Sequence, residues 1–266
     1  MLYFVATPIG NLEDISYRAI KVLKECDVIA CEDTRHSKIL LDHYEIKSKL
    51  IAYHKFNEQN SADGIIALLK EGKNVAVISD AGMPVISDPG NILAVKLIEN
   101  NIKFTVVPGA NAGLSALILS GFDATKFAFF GFLSEKNKEL KNQLADIKAF
   151  NGTKILYSSK YNLNKDLDSL HSVLGQVEVA VVSELTKMHE SVEFATLPHQ
   201  IDEPKGEFVI VVKHAEIEQK TASDNDILTE LKELIKTTPK NDAIKQIKEK
   251  YGLTKSYVYN LIEKNK

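Results

Sequence analysis

The segment VAVISDAGMPVISDPG, Val75 to Gly90, places two short carboxylate-bearing glycine turns, Ser79-Asp80-Ala81-Gly82 and Ser87-Asp88-Pro89-Gly90, behind an apolar run that reads as a buried strand. Glycine at a strand-to-turn junction permits positive φ and lets a ligand approach the backbone closely. Carboxylates repel phosphate, so these turns suit a ligand that is cationic or rich in hydrogen-bond donors. Other polar loops also follow apolar runs. ATPIGNLEDIS offers Pro8, Gly10, Asn11 and Asp14, CEDTRH offers Glu32, Asp33, Arg35 and His36, and VPGANAG follows FTVV. No G-x-G-x-x-G, G-x-x-x-x-G-K-[ST] or H-E-x-x-H occurs, so dinucleotide, P-loop and zincin readings lose their usual support. No metal is expected, and the two cysteines, Cys26 and Cys31, read as core thiols because there is no second pair.

Such loops need a scaffold that brings them together. LYFVAT, DVIAC, NVAVIS and FTVV alternate with amphipathic segments, which predicts a largely parallel sheet with covering helices. In an open α/β sheet ligands sit beyond the carboxyl ends of the strands, where all of these loops would converge. Ser61 is expected to cap a helix through ADGIIALLKEG that stops at Gly72, and Pro89 to open one through NILAVKLIENN. After PGANAGLSALILSGF, the runs TKILYSS, EVAVVSEL and EFVIVVKH define a second domain. The expected organisation is an α/β domain over 1–118, a second over 119–214, a linker over 215–226 and a helical tail over 227–266. In the tail, Ile244 and Ile247 share one helix, Tyr251-Gly252-Leu253 make a turn, and Val258, Leu261 and Ile262 share the next. That pattern fits a helix-turn-helix and equally a plain helical hairpin.

A chain of 266 residues with 44% hydrophobic and 26% charged composition is that of a soluble globular protein. No apolar run approaches the roughly 20 residues needed to cross a bilayer, so no membrane partner is expected. MLYFVATPIG reads as a first strand rather than a leader, which makes a cytoplasmic location the expectation. The net charge of −3 is unevenly spread: from Ile227 onward nine lysines face five carboxylates, a net +4, which leaves −7 on the remainder. Such asymmetry permits an appended segment that meets nucleic acid while the body does something else.

TPIGNLEDIS, ACEDTR, YHKFNE, SDAGMPVISDPG, VPGANAG, FGFL, SELTK and KGEFVIVV, in this order from about Leu2 to Lys213, closely resemble the ribosomal RNA small subunit methyltransferase I family, the 16S rRNA cytidine 2′-O-methyltransferases of the tetrapyrrole methylase superfamily. The tail resembles a C-terminal extension seen in part of that family. The resemblance implies two α/β domains of the tetrapyrrole methylase type with an S-adenosylmethionine site in the cleft between them, and a homodimer as the working unit. It implies methylation of a cytidine in the decoding region of 16S rRNA, with the assembled small subunit as partner. The cofactor's sulfonium and amino groups are compatible with carboxylate-bearing glycine turns. The cofactor candidates on the first domain are the turn Pro8 to Asn11, with Pro8, Gly10 and Asn11 foremost, and Asp80, Ala81, Gly82, Val85, Ser87 and Asp88, with Leu133, Leu185 and the Lys205-Gly206-Glu207 region around Gly206 closing from the second. Two segments depart from the family pattern: Tyr-Glu-Ser-Pro-His-Arg is here YSSKYN, Tyr157 to Asn162, and the proline after FGFL is here Ser134.

Methylating a ribose hydroxyl requires in-line attack on the sulfonium methyl, so positioning is the main contribution expected of the protein. A base to receive the proton would help, and His54, Glu32, Asp33 and Glu184 are the candidates; Glu184 could equally close an ion pair with Lys187. Arg35, Lys136, Lys138, Lys141 and Lys160 are candidate RNA contacts. Two other function classes remain: a methyltransferase of a tetrapyrrole or other small substrate, which needs an enclosed apolar cleft, and a non-catalytic nucleic-acid-binding regulator built around the tail.

Overall fold

A computed structural model describes residues 1–54, 58–214, 224–251 and 255–264. The first sheet is fully parallel, in the order β3 (Lys49–Ala52), β2 (Val28–Cys31), β4 (Val75–Ile78), β1 (Leu2–Val5) and β5 (Phe104–Val107). β2 and β4, VIAC and VAVI, are buried at every position, as strands covered on both faces must be. The covering helices are α1 (Tyr17–Glu25), α2 (Thr34–His43), α3 (Glu58–Lys70) and α4 (Asn91–Glu99). Ser16 caps α1 by accepting from the Ala19 amide at 3.1 Å, and Asp33 caps α2 by accepting from the Arg35 amide at 2.8 Å. The chain leaves β1 and β4 in opposite directions across the sheet, so the loops at their adjacent carboxyl ends open a crevice.

Both helices anticipated here differ in detail. α3 begins at Glu58, three residues before Ser61, and α4 begins at Asn91 behind Gly90, which offers no side-chain cap. The start of α4 is served from α3: the Glu58 carboxylate reaches across to accept from the amides of Gly90 at 2.8 Å and Ile92 at 3.3 Å. It satisfies donors that would otherwise be orphaned at the start of α4. Gly72 follows the end of α3 at φ +86°, as a helix stop does.

The second sheet is mixed, in the order β6 (Phe127–Phe132), β7 (Thr153–Ser159), β10 (Glu207–Val212), β8 (Glu178–Ser183) and β9 (Ser191–Thr196). Only β6 and β7 run parallel. α6 (Asn137–Ala149) and α7 (Leu163–Leu174) cover one face with Leu144, Ile147, Leu163, Leu167 and Leu170. The other face is covered by α5 (Ala112–Ser120), whose Ala116 and Leu117 pack with Ile155, Val182 and Val209. The division expected at 118/119 therefore falls within a helix that packs on the second sheet. β3, β6 and β9 lay outside the expected strands; all three are partly exposed, and KLIA and SVEFAT of β3 and β9 break their apolar runs with polar residues, whereas FAFFGF of β6 is apolar throughout. Cys26 and Cys31 are free thiols in the core.

The chain's packing separates Met1–His214 from Ala215–Lys266. In the second unit the described elements are α8 (Asp224–Thr237), α9 (Lys240–Tyr251) and α10 (Lys255–Lys264). α8 starts inside the expected linker, and Ile244, Ile247, Val258 and Leu261 are buried as the pattern required. Gly252 and Leu253 of the expected turn lie outside the described residues.

Candidate active site

The carboxyl ends of the first sheet face the second sheet across a cleft of about 390 Å³, within the roughly 300–1,000 Å³ usual for small-molecule sites. The loop after β4 is tied to the loop after β1 by a two-way backbone pair: the Thr7 amide donates to the Gly82 carbonyl at 2.9 Å and the Gly82 amide to the Thr7 carbonyl at 3.1 Å. The buried Thr7 hydroxyl adds a bond to the Ser79 carbonyl at 3.2 Å. Gly82 sits at φ +79°, and a Cβ there would meet Ile9 Cγ2 at 3.2 Å. Val85 and Ser87 also hold positive φ, +77° and +69°. For a β-branched residue that is a strained conformation, kept only where the surroundings dictate it. The strain shapes the turn that presents Ser87 and Asp88 to the cleft.

Electrostatics single out three carboxylates here. Glu32, Asp80 and Asp88 all line the cleft. Burial, with repulsion from Glu32 and Asp80 opposed by a hydrogen bond from Ser79, pushes the Asp88 carboxyl up to about 6. Burial and Asp80 also raise Glu32, against the pull of His54. Negative charge accumulated in a partly desolvated cleft disfavours itself until a cation arrives. This donor set fits a ligand bearing a sulfonium and an ammonium.

Among the expected cofactor residues, Asp80, Ala81, Gly82, Ser87, Asp88 and Leu185 line the cleft. Six do other work. Of Pro8, Gly10 and Asn11, Pro8 is buried, Gly10 packs under the loop after β8, where a Cβ would lie 2.6 Å from the Leu185 carbonyl, and Asn11 caps a short turn through the Glu13 amide; Ile9 between them faces the cleft. Val85 packs toward the β4 core, while Leu133 belongs to the core under α6 and leaves the cleft to Phe132. Gly206, at φ +86°, exists to admit Glu184: a Cβ would stand 2.0 Å from its Oε1. Glu207 is the neighbour that lines the cleft. In each case strand alternation or turn geometry hands the cleft to an adjacent residue.

The four base candidates separate in the same way. Asp33 is the α2 cap and pairs with Arg35, whose hydrogen bonds hold its carboxyl down to about 2. Glu184 is desolvated, yet the Glu207 amide at 3.0 Å and Lys187 at 3.0 Å hold its carboxyl below the usual range. Both are acceptors already engaged, poorly suited to take a proton. Glu32 lies in the cleft with a raised affinity for protons, and His54 sits close enough to act on it electrostatically. Lys55, Phe56 and Asn57, which follow His54, lie outside the described residues.

The residues that depart from the family pattern form local hydrogen bonds. Ser158, in the place of the acid, lines the cleft and donates from Oγ to Asp166 Oδ2 of α7 at 2.6 Å. A buried carboxylate is thus present, supplied from a different element. The Ser134 hydroxyl donates to Glu139 at 2.9 Å and accepts from the Lys136 amide at 3.2 Å, ordering the loop before α6 by hydrogen bonds. Among the candidate RNA contacts, Lys138, Lys141 and Lys160 are exposed, Lys136 pairs with Glu139, and Arg35 pairs with Asp33. Lys160 lies 5.0 Å from the centre of the exposed Tyr161 ring. Sequence reasoning missed Tyr157 and Asn111 as lining residues. Tyr157 stands against Phe129 and Phe132, with ring centres 4.7 and 5.6 Å away, and its hydroxyl oxygen accepts from the Gly113 amide at 3.3 Å; its signal was an aromatic residue at the end of a buried strand.

Residues 1–199 match the family model described as Tetrapyrrole (Corrin/Porphyrin) Methylases. A ribosomal RNA small subunit methyltransferase I of Mycoplasmopsis pulmonis is 46% identical over 79% of this chain and 96% of its own. A protein of the same name from Synechocystis sp. is 39% identical over 98% of this chain and 96% of its own. A crystal structure of diphthine synthase superposes with TM-score 0.64 at 15% identity, over 80% of this chain and 89% of that one, and shares the fold. S-adenosylmethionine is the methyl donor of these methylases, and the acidic cleft fits it. The chain belongs to the ribosomal RNA small subunit methyltransferase I family of the tetrapyrrole methylases.

Proposed function

We propose that the protein transfers a methyl group from S-adenosylmethionine to the ribose 2′ oxygen of a cytidine in the decoding region of 16S rRNA. The observation that carries the reading is the cleft between the two sheets, where Glu32 at the end of β2 gathers with Asp80 and Asp88 of the glycine-bearing turns after β4. The bound cofactor supplies an electrophilic methyl group on a sulfonium. The chain's share is positioning and charge. Asp80, whose Oδ1 accepts from the Asp33 amide at 3.2 Å, and Asp88 counter the cationic ligand. Ile9, Leu185 and Phe132 exclude water from the cleft walls. Glu32, raised by burial, is the group within the cleft suited to receive the 2′-hydroxyl proton, with His54 at its side.

The substrate reading is supported by the relatives' names and by exposed Lys138, Lys141, Lys160 and Tyr161 on the second sheet's helices and loops. A body of formal charge −7 has little general attraction for bare RNA, so the substrate is the assembled or nearly assembled subunit in the cytoplasm. The working unit is a homodimer. In support, β5 and β6 are edge strands carrying exposed Val106, Phe127, Phe129 and Phe132, and α5 exposes Leu114 and Ile118.

The test is methyl transfer from labelled cofactor to purified small subunits, to protein-free 16S RNA and to a tetrapyrrole precursor. Label at one cytidine ribose of the subunit, with naked RNA and the tetrapyrrole poor substrates, is the expected result. Label on the tetrapyrrole alone, or on a base rather than a ribose, overturns the reading. A monomeric mass in solution at working concentration overturns the dimer.

A further inference from the structure

The unit Ala215–Lys266 closes a core of its own: Ile227, Leu228 and Leu231 of α8 meet Ala243, Ile244 and Ile247 of α9 and Val258 and Leu261 of α10. Polar bonds lock the three helices. Tyr257 of α10 donates to Asp224 of α8 at 2.8 Å, Tyr259 of α10 to Asn241 of α9 at 3.1 Å, and Lys250 and Tyr251 of α9 both bind Glu230 of α8. α9 and α10 are separated by three residues, the spacing of a helix-turn-helix pair.

Helical geometry then sorts the charge. At 3.6 residues per turn, Lys245 and Lys248 stand on the same flank of α9 as Asn241, the flank that Tyr259 places beside α10; Lys250 lies on the opposite flank, against α8. Lys240, Lys245 and Lys248 are exposed, and among the described residues none of them forms an ion pair. Lys240 stands on the other side of Asn241 from Lys245, and the exposed Asp242 lies about 60° from Lys245, yet the chain from Ile227 onward is net +4 where the remainder is −7. The Mycoplasmopsis pulmonis relative is covered to 96% of its length by 79% of this chain, which leaves about a fifth of this chain, the size of this unit, without a counterpart there. A protein of that name therefore has its methyl-transfer body without such a module.

We propose that the α9–α10 pair is a docking surface for RNA phosphates, contacted through Lys240, Lys245 and Lys248, which adds affinity for the ribosomal subunit without building the methyl-transfer site. The choice of RNA rests on the proposed rRNA substrate; helix pairs of this kind also read duplex DNA, and the test separates the two. The full chain and a full-chain K240Q/K245Q/K248Q variant are titrated with purified small subunits, and with a duplex DNA, between 50 and 200 mM salt, and both proteins are titrated with S-adenosylmethionine by calorimetry. Each phosphate contact contributes about 0.7–0.9 to the log–log salt slope, so the variant's slope for subunits should flatten by about 2 and its low-salt affinity fall about tenfold. Cofactor affinity and thermal unfolding should not change. Unchanged subunit affinity and slope would overturn the proposal, as would a loss seen on duplex DNA and absent on subunits. A tail-dependent slope in a protein that transfers no methyl group to subunits sinks the functional reading and leaves the docking surface standing; methyl transfer with tail-insensitive binding does the reverse.

Discussion

Asp88→Asn should make the cofactor-free protein more stable and its cofactor binding worse. The Asp88 carboxyl is pushed up to about 6 from 3.8 by burial and by Glu32 and Asp80. Between those two values the folded chain holds a proton that the unfolded chain has released. Stability is therefore full below the ordinary carboxylate range and is lost as the pH rises through about 6. At about 1.36 kcal/mol per pKa unit the full cost near pH 8 is about 3 kcal/mol. Asp88 is only half-buried, and solvent screening brings this to about 1–2 kcal/mol. In a chain of this size that corresponds to a rise of about 3–6 °C in the Tm of the Asn variant at pH 8, shrinking toward zero at pH 4. With the cofactor the sign reverses, because a carboxylate facing a cation is worth about 1.5–3 kcal/mol, or roughly a 10- to 100-fold loss of affinity. Thermal unfolding at the two pH values, paired with calorimetric titration of S-adenosylmethionine at pH 8, reads both effects. An Asn variant that melts below the unaltered protein at pH 8 would refute the reasoning, since the carboxylate would then be a structural acceptor rather than a charge awaiting its partner.

Asp166→Ala should cost about 1–3 kcal/mol by leaving the cleft-lining Ser158 hydroxyl without its buried acceptor; Ser158→Ala combined with it in a denaturant-unfolding cycle should recover part of that loss, and strict additivity would contradict the pairing. Gly206→Ala places a Cβ 2.0 Å from Glu184 Oε1 at φ +86° and should both destabilise the fold by more than about 1 kcal/mol and weaken cofactor binding; a variant normal on both counts would remove Gly206 from the cleft's architecture. Glu58→Ala strips the amides of Gly90 and Ile92 of their acceptor and should cost about 1–3 kcal/mol, with faster hydrogen exchange at the start of α4; unchanged exchange there would disprove the capping role.

Much of the site was legible in the sequence because its signals are local. The Asp80-to-Gly82 and Ser87-Asp88 turns were identified by residue types whose backbone demands and charge do not depend on distant partners, and both line the cleft. The charge segregation of the tail and its apolar spacing were equally local, and Ile244, Ile247, Val258 and Leu261 are buried accordingly. A motif marks a loop, but which of its residues faces the ligand depends on strand phase and on what packs beneath. Within the expected Pro8-to-Asn11 turn it is Ile9 that lines the cleft, within the Lys205-Gly206-Glu207 region it is Glu207, and beside Leu133 it is Phe132.

Composition, periodicity and motif order by themselves determined the parallel first sheet, the carboxylate turns at its carboxyl ends, the family and the cationic tail. Only the tertiary structure decided which carboxylates share the cleft. Glu32 follows β2 while Asp80 and Asp88 share the β4–α4 connection, and the repulsion of Glu32 on the other two exists only because the sheet sets β2 beside β4. It also decided that Glu58, inside an anticipated motif, accepts from the amides that open α4, and that the Ser158 hydroxyl is held by Asp166 of α7. Local preference is written along the chain, whereas desolvation and partner choice arise from distances between residues remote in sequence.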